Sequence, residues 1–170
     1  LTKEYRFSHH NRNQYETKNV KAKVNLLIKN SEENNLGLPL PQGIFRVYQK
    51  HSKGDSLFLG EDRIPHVANN EYFTIHTGEA FDISASEKTI SHNKLSKTRY
   101  QSSHEAIFNN ASEKEVIITY QELFNPRDQW SILESSHPID KETTSYVEWQ
   151  IAIPANSKTT LTYQVEVETK

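Results

Sequence analysis

The sequence predicts an all-β fold, an antiparallel β-sandwich of immunoglobulin-like type. Two stretches near the end of the chain carry most of that expectation. Val147, Trp149, Ile151 and Ile153 fall at every second position, with Glu148, Gln150 and Ala152 between them. After a break at Pro154-Ala155-Asn156, Leu161, Tyr163, Val165 and Val167 repeat the alternation. Successive strand side chains point to opposite faces, so each stretch offers one apolar face to a core and one face to water. A third observation is negative: no segment shows a strong helical period, and nothing resembles a strand–helix–strand alternation.

The remaining elements follow in order. Residues 3–8, with Tyr5 and Phe7, read as a short edge strand, and residues 9–18, with His9-His10, as a polar loop. Val20, Ala22, Val24, Leu26 and Ile28 alternate with lysines and Asn25, which predicts a strand with a wet outer face. Residues 30–43 are rich in Asn, Gly and Pro and read as a connection, because proline has no amide to give a central ladder. Residues 44–49 form the next strand, then a turn through Lys53-Gly54-Asp55, a short strand over 57–59 ended by Gly60, and another over 63–66 interrupted at Pro65. Residues 72–76 and 80–84 flank Thr77-Gly78-Glu79, the pattern of a tight hairpin. Residues 86–98 are polar and read as a connection. Strands over 99–108, 116–124 and 130–134 precede the closing pair; the second of these also fits a helix face, but Val-Ile-Ile-Thr-Tyr is β-branched and aromatic. That makes about nine or ten strands with turns at sandwich spacing. The expected organisation is one β-sandwich domain over 1–170, with residues 1–18 an edge strand and loop. Whether the last two strands form a hairpin or cross between sheets is open at this level.

Composition narrows the function. A formal charge of -2, with Lys and Arg scattered, gives no basic stripe for a nucleic acid. Cysteine is absent, which removes disulfides, thiolate catalysis and cysteine-ligated zinc. No apolar run approaches membrane-spanning length, so no membrane insertion is expected of this segment. Methionine is absent even at position 1, which predicts a piece excised from a longer protein.

Several motifs resemble the DUF4139 family. They are Gly37-Leu38-Pro39-Leu40-Pro41-Gln42-Gly43 running into Phe45-Arg46-Val47-Tyr48, then Leu59-Gly60-Glu61-Asp62 with Ile64 and His66, then Gly78-Glu79-Ala80-Phe81-Asp82-Ile83. Ser135-Ser136, Trp149 and Ile153-Pro154-Ala155 into Leu161-Thr162-Tyr163 continue the series in order over roughly residues 20–168. Asn69-Asn70 and Ser86-Glu87 depart from it in the turns. The resemblance implies a β-rich C-terminal domain of a longer bacterial protein of mucoidy-inhibitor-like type, in the periplasm or cell envelope. It implies no enzymatic activity, and so no catalytic residues to carry over.

Three candidate chemistries arise from the residues themselves. His66 and His76, with Glu61 and Asp82 as carboxylates, are the set expected to hold the metal of a cryptic hydrolase if neighbouring strands bring them together, although no HExxH or HxH spacing exists. Trp130 and Tyr146 are the rings for a carbohydrate- or ligand-binding surface, since Trp149 and Tyr163 lie in the apolar phase. Ser102-Ser103-His104 and Ser135-Ser136-His137 are adjacency, which does not make a triad. Asn110-Ala111-Ser112 matches a glycosylation sequon. The preferred reading is a non-catalytic module without cofactor or metal. It serves interaction or assembly with other domains of the same longer chain or with envelope proteins. A carbohydrate-binding module and a metal-dependent hydrolase are the alternatives.

Overall fold

The fold is described from a computed structural model covering residues 1–10, 17–50 and 54–170. It is nearly all β, 69% strand. The strands are β1 (Thr2–His10), β2 (Lys18–Lys29), β3 (Gly43–Lys50), β4 (Ser56–Ile64), β5 (Tyr72–Lys94), β6 (Arg99–Asn110), β7 (Val116–Leu123), β8 (Gln129–Ser135), β9 (Lys141–Glu142), β10 (Tyr146–Ile153) and β11 (Ser157–Glu168). One 3-10 turn, Glu32–Asn34, interrupts them. No helix among the described residues is long and apolar enough to cross a membrane. Nine strands form one sheet in the order β8-β11-β6-β5-β2-β1-β7-β10-β9, and β3 pairs with β4 in a separate ribbon. The chain divides into two compact units, the first Leu1–Tyr5 with Lys23–Ala80 and the second Arg6–Ala22 with Phe81–Lys170.

In the first unit, Ile28, Ile64, Val67, Phe73 and Ile75 form a core, covered further by Leu26, Leu36, Leu40, Phe45 and Val47. One face of the β3–β4 ribbon supplies Phe45, Val47 and Ile64 to it, and Phe45 meets Phe73 at 5.5 Å between ring centres. The connection after β2 is tied down by buried Asn30. Its Nδ2 donates to the carbonyls of Leu38 at 2.8 Å and Ala68 at 2.9 Å, and its Oδ1 accepts from the Gly37 amide at 2.9 Å. Gly37 has a φ of 99°, a left-handed conformation that suits glycine. The ribbon is bulged between Val47 and Tyr48, opposite Gly60 and Phe58. Gly60 therefore lies inside β4 rather than ending it, and the two short strands expected over 57–59 and 63–66 are one. A Cβ at Gly60 would lie 2.8 Å from the Thr77 carbonyl oxygen, so this backbone approach needs glycine.

In the second unit the expected antiparallel sandwich forms, and its layers are halves of one sheet. Trp149 on β10 meets Tyr163 on β11 at 5.0 Å, and Phe108 on β6 meets both Tyr120 on β7 at 5.3 Å and Phe7 on β1 at 5.5 Å. Val147, Trp149, Ile151, Ile153, Leu161, Tyr163, Val165 and Val167 are all buried, as their alternation predicts. The open question about the closing strands is answered. β10 pairs with β7 and β9, while β11 pairs with β6 and β8, so Pro154-Ala155-Asn156 links two layers and not a hairpin.

Three sequence expectations are corrected. β1 is not an edge: it lies between β2 and β7 and includes His9 and His10, which were assigned to a loop. Residues 11–16 of that loop and Lys53 of the Lys53-Gly54-Asp55 turn lie outside the described residues. Thr77-Gly78-Glu79 does not reverse the chain, because β5 runs unbroken through it from Tyr72 to Lys94. The polar residues 86–94 continue the same strand, with Ala85, Glu87 and Thr89 taking the buried phase.

Candidate functional site

The four proposed metal ligands are engaged separately. Glu61 is ion-paired with Arg46 at 2.8 Å, both exposed. His66 Nδ1 accepts from the Gln42 amide at 3.3 Å. His76 Nδ1 lies 3.0 Å from Asn25 Oδ1. Asp82 belongs to the second unit, where its carbonyl accepts from the Ala111 amide at 2.9 Å. Among the described residues, no group of three or more His, Asp or Glu is arranged to hold a metal ion. The structure does not bring this set together.

The aromatic candidates also part company. Trp130 stacks on Phe124 with ring centres 4.1 Å apart and donates Nε1–H to the Thr144 carbonyl at 3.1 Å. It lines a shallow groove of about 320 Å³ with Arg127, Asp128, Glu142 and Lys170. Tyr146 is half-buried under the Lys141 ammonium, 5.6 Å from its ring centre, and does not line that groove. One ring at a groove is less than the two-ring platform a sugar face would stack on.

The two Ser-Ser-His runs differ. Ser136 Oγ lies 3.0 Å from His137 Nδ1, a contact between sequence neighbours. Ser135 Oγ accepts from Trp149 Nε1 at 3.0 Å and donates to the His137 carbonyl at 2.7 Å, which fixes the core tryptophan. Ser102 Oγ and His104 Nε2 are 2.8 Å apart, both buried. Asn110 of the sequon is fully buried. Its Nδ2 donates to the carbonyls of Lys114 at 2.8 Å, Ile153 at 3.1 Å and Pro154 at 3.1 Å, and its Oδ1 accepts from the Ser112 amide at 2.9 Å. That amide has no room or valence for a sugar in the folded chain.

The densest ionisable cluster is one the sequence reading missed. Glu122 on β7 is 0% exposed. Its Oε2 lies 2.6 Å from His9 Nδ1 and accepts from the Tyr163 hydroxyl at 2.9 Å, while Oε1 has no hydrogen-bond partner among the described residues. His104 stacks on Tyr163 with centres 5.1 Å apart, and His9 lies 6.0 Å from His104. Burial pushes both the Tyr163 and Tyr120 hydroxyls well above the ordinary tyrosine range, and the Glu122 charge adds to it. Tyr163 therefore remains a donor to the carboxylate. Burial is also the main cause that lowers His104, against Glu122, which raises it, and His9 and His92, which lower it. The signal for this cluster was available: Ile118, Tyr120, Glu122 and Phe124 share one phase of β7, so a glutamate stands in an apolar row. A carboxylate there must find a partner from another strand.

The cluster is arranged for structure. Its polar bonds join β1 and β11 to Glu122 on β7, His104 of β6 stacks on Tyr163, and the carboxylate they surround is fully buried. A groove of about 490 Å³ is lined by His104 and Tyr163 with Glu105, Glu134 and Ser136, but the polar ends of both rings are committed to Ser102 and Glu122. One consequence is measurable. Because the folded state holds His104 below its unfolded value, the unfolded chain binds the extra proton, and stability rises with pH through the window below about 6.5. This contribution is complete above that pH and is lost on acidification. Urea midpoints should fall from pH 7.5 to pH 5.5, and His104→Phe should flatten that fall. An unchanged slope in the variant would show that other groups govern the acid side.

Compared with protein families, characterised proteins and solved structures, the chain finds no match.

Proposed function

We propose that the chain is a non-catalytic β-sandwich module that serves interaction or assembly, as part of a larger bacterial envelope protein of the DUF4139 type. The observation that carries the interaction reading is the outer face and tip of the β3–β4 ribbon. Ile44, Tyr48, Leu57, Phe58 and Leu59 are 40–60% exposed there, and Tyr48 and Phe58 meet at 5.5 Å between ring centres. Inner positions of the same ribbon pack on the first unit's core, so the ribbon is anchored while its distal half offers apolar side chains to solvent. Exposed apolar side chains gathered on one element mark contact sites more often than single scattered ones do. The resemblance in the motifs supports the placement in a larger envelope protein.

The test is a photo-cross-linking amino acid in place of Tyr48, with the same probe at exposed Thr160 as a control, in cells of the source organism. Cross-links to a macromolecule at position 48 and none at 160 are expected. Equal labelling at both positions, or none at either, overturns the reading.

A further inference from the structure

We propose that the partner of the β3–β4 ribbon is a second copy of this chain, an inference that rests on the interaction reading above. Opposed pairs along the ribbon set its outer face: Ile44 beside Arg63, Arg46 beside Glu61, and Tyr48 beside Phe58. That face is aromatic at its distal end, pairs Ile44 with exposed Arg63 at the other, and carries both signs of charge in the middle, with Arg46 and Glu61 joined at 2.8 Å. A two-fold axis running along the ribbon between β3 and β4 places each copy's carboxylate over the other copy's guanidinium. The same axis lays each copy's Tyr48 over the other's Phe58, and Ile44 over Arg63. Such self-complementarity is what an isologous dimer requires.

Area decides how strong the contact is. With large side chains near 200 Å² each and about half exposed, the six residues of that face present roughly 600 Å². Two copies then bury about 1,200 Å² in total, at the lower limit for a specific interface. A dimer of this size forms weakly, with a Kd on the order of 10–100 μM. An anionic lipid surface is the competing occupant, drawn by Arg46, Arg63 and exposed Lys50 but opposed by Glu61 at the centre of the face and exposed Asp55 beside its tip.

Sedimentation velocity of the purified chain from about 5 to about 500 μM reads the outcome directly. A concentration-dependent dimer is expected. Tyr48→Glu with Phe58→Glu should abolish it. Arg46→Glu should weaken it by 10-fold or more, and Arg46→Glu with Glu61→Arg should restore it. All four positions are solvent-exposed, so circular dichroism of the variants should match the parent. A chain that stays monomeric throughout, or a dimer indifferent to these substitutions, overturns the proposal. The two ideas fail separately. A monomer whose position 48 still cross-links to another protein in cells ends the second-copy claim and leaves the interaction reading standing. A monomer that co-sediments with phosphatidylglycerol vesicles also ends the second-copy claim and assigns the ribbon to a membrane surface. A monomer with neither property removes both.

Discussion

Replacing His9 with alanine is expected to destabilise the second unit by about 3–5 kcal/mol at neutral pH. The reason is what the substitution leaves behind. Glu122 is fully buried, and His9 holds its Oε2 at 2.6 Å; without the imidazole, the carboxylate keeps the Tyr163 hydroxyl. A buried charge deprived of its partner costs more than the pair contributed. The companion double variant, His9→Ala with Glu122→Leu, should recover at least about 1 kcal/mol, because no charge remains to be neutralised. Urea denaturation of the parent, both single variants and the double closes the cycle. A cost below about 1 kcal/mol for His9→Ala would show that the pair is incidental.

Asn110→Ala should cost about 3 kcal/mol by the same measurement. The side chain satisfies three carbonyls and one amide at the point where β6, the turn after it and the end of β10 meet. Alanine abandons all four groups, and burial keeps water from replacing the bonds at full strength. Asn110→Asp retains the acceptor for Ser112 but loses the donors, so it should cost nearly as much. If Asp behaves like the parent, the three carbonyls have found other donors and the account is wrong. A glycosyltransferase should modify this sequon only in unfolded chain.

The fold was legible wherever the buried row of a strand is greasy. Trp149, Ile151, Tyr163 and Val165 identify β10 and β11 at sight, and burial follows the alternation. It was illegible where the buried row is polar. In β5 the inward positions past Ala85 are Glu87 and Thr89, so a hydropathy reading loses the strand that the backbone continues to Lys94. Gly78 adds to the difficulty, because glycine inside a strand carries the same sequence signal as a turn. The ionic cluster was hidden for the same reason. His9 and Glu122 are 113 residues apart, and each looks like an ordinary surface residue until both phases are read together. By contrast, the candidate metal set was drawn from residues whose strand phase points to solvent. Three of them, Glu61, His66 and His76, are exposed. Expected neighbouring strands suggest a convergence that the structure does not provide.

The position of β11 bears on how the protein is made. Its strand Ser157–Glu168 fills the gap between β6 and β8, both of which precede it in the chain. Until Ser157–Glu168 leaves the ribosome, two finished strands wait with bare edges where their shared neighbour belongs. A nascent chain stalled before Ser157 is therefore a natural client for a holdase chaperone.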